Sequence, residues 1–347
     1  MSKTGRVEPG RRPVRRSLKG EGGSRGGVGW TRRHLLGLQD LTAAEILTIL
    51  DRADRFFPLA TGRKAAPQVL RGRTVLNLFC EDSTRTRVSF TLAAERLGGR
   101  VIQFHAATSS LNKKETLLDT AQNVEAMGLD AIVIRHAERD APHRLAEAVR
   151  CSVLNAGDDA HEHPTQGLLD MLALRRRFGR LKGLTVAVVG DIRHSRVARS
   201  NLFGLSKFGS RVIFVGPPVF LKGVEVKAEM TTDFDAVLPE CDAVMMLRVQ
   251  FERHADVAFN VEEYVRGYQL TGARLGRARP GAVVLHPGPV NRGLELTDEV
   301  TDGPHSLILN QVTCGVAVRM ACLALCVGAL ERERKAAAAK ARKGQRG

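Results

Sequence analysis

The sequence predicts an α/β protein of two domains, each a parallel sheet covered by helices in three layers. Short apolar runs typical of strands recur along the chain, and stretches with helical periodicity separate most of them. A chain of 347 residues with 43% hydrophobic residues is also long enough to bury two cores. The expected strands are Thr74–Phe79, Arg100–Phe104, Asp130–Ile134, Ser152–Asn155, Leu184–Gly190, Arg211–Val215, Ala243–Leu247 and Gly281–Leu285.

Two helix starts can be predicted from capping residues. Thr42 followed by Glu45 has the pattern of a capping box. Ser83 is expected to cap the helix after the first strand. The apolar face expected for the first helix is Ile46, Leu47, Leu50, Ala53 and Phe57, and that of the second is Val88, Leu92 and Leu97.

The domain boundary is expected near Arg175–Gly183, which resembles a connection between the helix predicted at Gln166–Arg177 and a new strand. The last apolar run, Val312–Leu330, is nearly long enough to span a bilayer, but Arg319 lies in its middle and small residues dominate. A terminal helix packed back on the N-terminal domain is therefore expected, and no membrane partner. The predicted segments are a basic tail (1–33), a first domain (34–178), a second domain (179–310), the returning helix (311–332) and a second basic tail (333–347).

The net charge of +16 is concentrated in the tails. Residues 1–33 carry a net charge of +8 and residues 331–347 a net charge of +5, which leaves about +3 for the body. The first tail is rich in Gly, Arg and Pro, so we expect it to be disordered. A nucleic-acid arm and a transit peptide are both possible interpretations of such a tail. A solvated extension is favoured over both, and a nucleic-acid partner is disfavoured.

The six cysteines show no CxxC pair and no disulfide-like framework, and most lie in apolar runs. This usage is typical of buried thiols in a reducing cytoplasm. Cys322 and Cys326 share a helix face, but two thiols without neighbouring His or Cys make a poor zinc site. No metal and no cofactor is expected.

The densest polar cluster, Ser83-Thr84-Arg85-Thr86-Arg87, follows the first predicted strand. The first amides of a helix have no backbone acceptors, and the helix dipole places positive charge there. Arg85 adds a forked donor that matches phosphate oxygens. The cluster therefore predicts a site for a phosphate dianion, in preference to an ordinary cap with solvated arginines.

This cluster resembles the Ser-Thr-Arg-Thr-Arg signature of the aspartate/ornithine carbamoyltransferase family, and the resemblance runs from about His34 to Leu330. Two positions resemble the aspartate branch of the family. Thr165 stands where the ornithine branch usually has Cys, and the segment with Gly288-Pro289 stands where that branch typically has His-Cys-Leu-Pro. The segments Asp191–Ser200 and Leu247–Gln250 are similar to its aspartate-binding segments. The resemblance implies transfer of the carbamoyl group of carbamoyl phosphate to the amine of L-aspartate, an early step of de novo pyrimidine biosynthesis.

The resemblance also implies a role for each motif residue. The cluster at Ser83–Thr86 would hold the phosphate, while Thr86, Arg135 and a neutral His163 would polarise the carbonyl oxygen. The implied substrate-binding residues are Ser83, Thr84, Arg85, Thr86, Ser109, Lys113, Arg135, His163, Gln166, Arg196, Arg248, Gln250, Gly288 and Pro289, and the implied catalytic residues among them are Arg85, Thr86, Lys113, Arg135 and His163. Gln166 would accept from the carbamoyl NH2, and Arg196 and Arg248 would match the two aspartate carboxylates.

The segment Ser109–Thr116 resembles a mobile loop that the family donates from a neighbouring subunit. Ser109, or Ser110 in a shifted register, and Lys113 would then complete the adjacent site. The resemblance thus implies a cytoplasmic homotrimer or a multiple of trimers. It leaves open a regulatory or dihydroorotase-type partner.

Three residues depart from the family pattern outside the implied catalytic positions. Asp82 stands where the family usually has Pro, and Lys114 and Asp159 stand where it usually has Gly. These departures put efficiency in question more than reaction type. Two alternatives stay open: a carbamoyltransferase for another amine such as ornithine, and a weakly active homologue that serves as a structural or regulatory partner.

Overall fold

The structure is a computed structural model that describes residues 29–105, 115–250 and 260–344. Its strands are β1 (Thr74–Phe79), β2 (Arg100–His105), β3 (Ala131–His136), β4 (Ser152–Asp158), β5 (Thr185–Val189), β6 (Arg211–Val215), β7 (Glu229–Thr231), β8 (Ala243–Met246) and β9 (Val283–Leu285). They form a four-stranded sheet in the order β2-β1-β3-β4 and a five-stranded sheet in the order β7-β6-β5-β8-β9. Every pairing is parallel, so the predicted fold class is confirmed.

The helices connect and cover these strands. They are α1 (Ala43–Phe56), α2 (Thr84–Arg96), α3 (Leu117–Glu125), α4 (Ala141–Ala148), α5 (Pro164–Phe178), α6 (Arg196–Ser206), α7 (Pro218–Leu221), α8 (Phe234–Val237), α9 (Val261–Tyr268), α10 (Gly272–Leu275), α11 (Asp298–Thr301) and α12 (Ile308–Gly344). The helix α5 ends at Phe178, and the next residue, Gly179, closes its C-terminus with a left-handed backbone (φ 73°). All strands of the first sheet precede this turn and all strands of the second sheet follow it.

The predicted bounds of β1 and β6 agree with the structure, whereas β7 was not predicted. This strand has only three residues at the edge of the second sheet, where it pairs with β6. A strand that short has no measurable alternation, so its sequence contains no pattern to detect.

The capping box at Thr42 and Glu45 is confirmed, but the predicted apolar face of α1 is partly wrong. Leu47 is 39% exposed, while Ile49 and Phe56 are buried. The predicted α2 face is also partly wrong, because Val88 is 49% exposed, whereas Leu97 is buried and Leu92 packs against the core. Both helices are covered on one side only, and a one-residue shift in the periodic pattern moves a side chain by about 100° around the axis.

The terminal helix α12 packs against α1, α2 and α5, so its predicted return to the first domain is confirmed. By length and composition alone it could cross a membrane, but most of its apolar stretch is buried inside the protein. The helix begins at Ile308 and continues to Gly344, beyond the predicted 311–332. Residues 333–343 are Ala, Lys, Arg and Glu, which all favour helix, so nothing stops the helix before a glycine.

Candidate active site

A cleft of about 390 Å³ lies where the carboxyl ends of strands from both sheets meet. Its walls follow β1, β3 and β4 of the first sheet and β5, β8 and β9 of the second, the position where open parallel sheets bind ligands. The predicted residues that line it are Ser83, Thr84, Arg85, Thr86, Arg135, His163, Gln166, Arg196, Arg248, Gln250, Gly288 and Pro289. The remaining two, Ser109 and Lys113, lie outside the described residues, as does Lys114.

One end of the cleft is the first turn of α2. Ser83 occupies the N-cap position, but its side chain makes no capping hydrogen bond, so the cap expected from the sequence does not form. No acidic residue lies in the first turn, so the positive end of the helix dipole is not compensated there. Amides, hydroxyls and the dipole therefore remain available to an anion.

Arg85 and Arg248 lie close enough across this end of the cleft to influence each other. Burial, and then the charge of Arg248, lowers the pKa of Arg85. Gly288, with a left-handed φ of 69°, lets its loop approach, because a Cβ there would lie 3.2 Å from Cζ and Nε of Arg85. Two cations held this close favour a ligand with more than one negative charge.

His163 lies at the start of α5, buried beside the arginines. Its backbone N–H donates to Ser200 Oγ at 2.9 Å, and within the described chain its Nδ1 has no hydrogen-bond partner. Burial lowers the pKa of His163 well below its usual value, and the charges of Arg319, Arg135 and Arg196 add to this effect. The imidazole is therefore neutral at physiological pH and can donate one hydrogen bond to a ligand.

Glu81 joins two of the cleft arginines and was not predicted. Its Oε2 accepts from Arg196 Nη1 and Nη2, both at 3.0 Å, and lies 3.3 Å from Arg135 Nε. Arg135 belongs to the first sheet and Arg196 begins α6 of the second domain, so one carboxylate orients cations from both. A carboxylate just before the hydroxyl cluster was the only sequence signal for it.

Arg319 of α12 lines the cleft, and the sequence analysis did not assign it to the site. It is buried, its Cζ lies 5.2 Å from the centre of the Phe90 ring, and burial lowers its pKa to about 10. It therefore stays charged at neutral pH and adds positive potential to the inner wall. Its position in the middle of an apolar run was a usable signal, because arginines are rarely buried without a partner.

Two of the three departures from the family pattern lie at the cleft. Asp82 is exposed at its rim, and Asp159 lines its wall with a left-handed backbone (φ 40°). Aspartate is one of the few residues that tolerates this conformation, so the position does not require glycine. Outside the cleft, Asp140, His143 and Asp158 place potential metal-ligand atoms within 4.8 Å of one another, although Asp158 already accepts from His161 and Asn155.

Family models match most of the chain. Residues 33–176 match the aspartate/ornithine carbamoyltransferase carbamoyl-P binding domain, and residues 182–326 match the Asp/Orn binding domain of the same family. The aspartate carbamoyltransferase catalytic subunit of Gluconobacter oxydans is 52% identical over 295 residues, which cover 84% of this chain and 94% of that protein. The corresponding protein of Salinispora arenicola is 53% identical over 303 residues, which cover 85% of this chain and 98% of that protein.

Solved structures of similar fold come from both branches of the family. Aspartate transcarbamoylase from Trypanosoma cruzi in complex with carbamoyl aspartate and phosphate has a TM-score of 0.75 and 30% identity, covering 86% of this chain and 97% of that one. Ornithine carbamoyltransferase from Pyrococcus furiosus has a TM-score of 0.77 and 30% identity, and the match covers 87% of this chain and 99% of that one. The fold alone therefore does not distinguish the two branches, whereas the relatives with about 50% identity are of the aspartate type.

Proposed function

This chain belongs to the aspartate/ornithine carbamoyltransferase family, and from that premise we propose that it transfers the carbamoyl group of carbamoyl phosphate to the amine of L-aspartate. The products are N-carbamoyl-L-aspartate and phosphate. The observation that carries the proposal is the cleft itself, which is lined by the N-terminus of α2, without a side-chain cap, and by the guanidinium groups of Arg196 and Arg248 from the other domain. The relatives with about 50% identity support aspartate as the acceptor.

The leaving phosphate binds at the first turn of α2. Its oxygens accept from the amides and hydroxyls of Ser83, Thr84 and Thr86 and from the guanidinium of Arg85. As the carbonyl carbon becomes tetrahedral, negative charge grows on its oxygen, which Thr86, Arg135 and the neutral His163 stabilise. Donors held in place before the reaction need no reorganisation, and this contribution lowers the barrier.

The acceptor is bound through its two carboxylates. Arg196 and Arg248 pair with them, and Gln250, whose Nε2 donates to the His194 carbonyl at 3.2 Å, holds the same wall. The amine nitrogen attacks the carbamoyl carbon, the bond from that carbon to the phosphate oxygen breaks, and the amine proton passes to the departing phosphate. A protein base is then unnecessary, because the phosphate is within reach of the proton it accepts.

The complete site includes Lys113 and either Ser109 or Ser110 of a neighbouring subunit, so the working unit is a homotrimer or a multiple of trimers. The enzyme acts in the cytoplasm at an early step of pyrimidine synthesis. A regulatory or dihydroorotase-type subunit is compatible with this assembly. The residue types at Ser109 and Lys113, a hydroxyl and an ammonium, suit contacts with phosphate and carboxylate.

A steady-state assay with carbamoyl phosphate and a panel of amines tests the proposal. We expect carbamoyl aspartate to form at millimolar substrate concentrations and expect no carbamoylation of ornithine above background. Preferential carbamoylation of ornithine would contradict the assignment of Arg196 and Arg248 to carboxylates. Absence of any product would favour the alternative of a structural or regulatory homologue. A native-mass measurement on the same sample tests the trimer.

A further inference from the structure

Asp170 is a fully buried carboxylate behind the cleft that accepts from three side-chain amides. Gln166 Nε2 donates to its Oδ1 at 2.9 Å, and Gln311 Nε2 donates to the same oxygen at 2.7 Å. Asn201 Nδ2 donates to Oδ2 at 2.8 Å. The three donors come from α5, α12 and α6, so Asp170 ties together three helices that surround the cleft.

The charge state of Asp170 fixes the direction of these bonds. Burial raises its pKa to about 6, against the lowering effect of the three amides and of Arg319. At neutral and higher pH the carboxylate is therefore ionised and can only accept. Gln166 must then turn its nitrogen toward Asp170, and its oxygen is the end of the amide that is left for the cleft it lines.

The other partners hold Asp170 in this role. Gln311 cannot reverse its amide cheaply, because its Oε1 accepts from the backbone N–H of His286 at 3.0 Å. Oδ1 of Asp170 therefore always faces an N–H from Gln311, and it presents an acceptor to Gln166 as well. Asn201 Nδ2 also donates to the Val197 carbonyl at 3.0 Å, whereas its Oδ1 is buried with no hydrogen-bond partner among the described residues, so turning this amide would lose one bond and gain another.

We propose that Asp170 is a positioning residue for substrate specificity: it locks the Gln166 oxygen toward the cleft, so that the site accepts an N–H from carbamoyl phosphate and discriminates against acyl phosphates without one. This inference rests on the proposed function. Acetyl phosphate is the matched probe, because it has a methyl group where carbamoyl phosphate has NH2 and the same phosphate. An acceptor that is left without its N–H costs more than a missing apolar contact.

A pair of near-isosteric variants separates orientation from packing. The double variant combines Asp170→Asn with Gln311→Glu. The new carboxylate at position 311 can only accept a hydrogen bond, so the new amide at position 170 must direct its NH2 group toward it. Gln166 must then present its oxygen to that nitrogen and turn its NH2 into the cleft, while the net charge is unchanged. In the control, Asp170→Asn alone, the oxygen stays toward Gln311 and Gln166, and Asn201 can turn its unpartnered oxygen to the new amide.

The measurements are KM for carbamoyl phosphate and the competitive inhibition constants Ki of acetyl phosphate and of inorganic phosphate. In the double variant we expect the ratio of the acetyl phosphate Ki to the carbamoyl phosphate KM to fall at least about tenfold. The phosphate Ki should stay within about threefold, because the α2 cradle is untouched. The single variant should keep the wild-type ratio within the same margin. A structural role alone would weaken all three ligands together and leave the ratio unchanged.

An unchanged ratio in a folded double variant overturns the inference while leaving the proposed function intact. If the double variant does not fold, Asp170→Ala replaces it, since it removes the acceptor and frees the Gln166 amide to rotate. A wild-type ratio in Asp170→Ala overturns the inference as well. No carbamoyl aspartate from the wild-type protein would instead remove the proposed function and, with it, the inference.

Discussion

Substitution of Glu81 by Gln tests whether one carboxylate organises the cleft arginines of both domains. Glu81 receives two N–H groups from Arg196 at 3.0 Å and lies 3.3 Å from Arg135 Nε. Its side chain and both guanidiniums are no more than 20% exposed, so solvent screens these contacts only partly. Glutamine keeps the shape but replaces an anion by a neutral amide with a single acceptor.

The magnitude follows from the change in hydrogen-bond type. In each bond from Arg196 the donor stays charged and only the charge of the acceptor is lost, which removes on the order of 1 kcal/mol per bond. Because part of the bonding is retained, Glu81→Gln should reduce transition-state stabilisation by on the order of 2 kcal/mol through poorer orientation of the two arginines. This loss corresponds to about a thirtyfold decrease in kcat/KM for aspartate. The effect should appear in the aspartate KM through Arg196 and in kcat through Arg135. Inhibition by phosphate should change little, because the ion pairs of Glu81 are with Arg135 and Arg196 and not with Arg85.

The assay is formation of carbamoyl aspartate under steady-state conditions with each substrate varied in turn. Glu138→Gln is a matched control, since Glu138 is an exposed carboxylate paired with Arg144 outside the cleft. An aspartate kcat/KM within about twofold of wild type would contradict the organising role of Glu81. A lower aspartate KM would also contradict it, because that result would mean that Glu81 mainly competes with the substrate for Arg196.

Four further outcomes are expected. Arg85→Ala should lower kcat/KM at least about a hundredfold by removing a charged donor from the leaving group, and wild-type kinetics would refute the cradle. Arg248→Ala should raise the KM of aspartate far more than that of carbamoyl phosphate, and equal effects would count against its role. Because burial lowers the pKa of His163 well below its usual value, its imidazole should stay neutral from pH 8 to pH 6. Histidine NMR measures this, with His163→Ala used to assign the signal, and a titration within that range would contradict its role as a neutral donor. Leu50→Ala should lower the free energy of unfolding by about 2–5 kcal/mol, and the exposed Leu47→Ala by less than about 1 kcal/mol; equal losses in chemical denaturation would contradict the revised α1 face.

Features that depend on local pattern could be predicted from the sequence. The bounds of β1, the capping box at Thr42 and the hydroxyl-rich turn at Ser83–Thr86 each lie within a few consecutive residues. Sequence motifs also predicted most of the residues that line the cleft. These residues follow different strands, and only the fold brings them together. Their individual roles stay predictions until variants are measured.

Features that depend on tertiary contact could not be predicted. Glu81 matters because Arg196, 115 positions later, folds against it, and no local spacing encodes that contact. Asp170 looks like an ordinary polar residue of an amphipathic helix, yet helices α5, α6 and α12 bury it completely. Leu47 was wrongly placed on the buried face of α1 for a related reason, since which side is covered depends on where α5 and α12 lie.

A crystal structure of the protein with N-(phosphonacetyl)-L-aspartic acid, the ligand of one Trypanosoma cruzi neighbour, tests the central claim most directly. We predict the phosphonate on the first turn of α2, within hydrogen-bond distance of Arg85, and the carboxylates on Arg196 and Arg248. A phosphonate bound away from that turn, or carboxylates paired with other cations, would contradict the account.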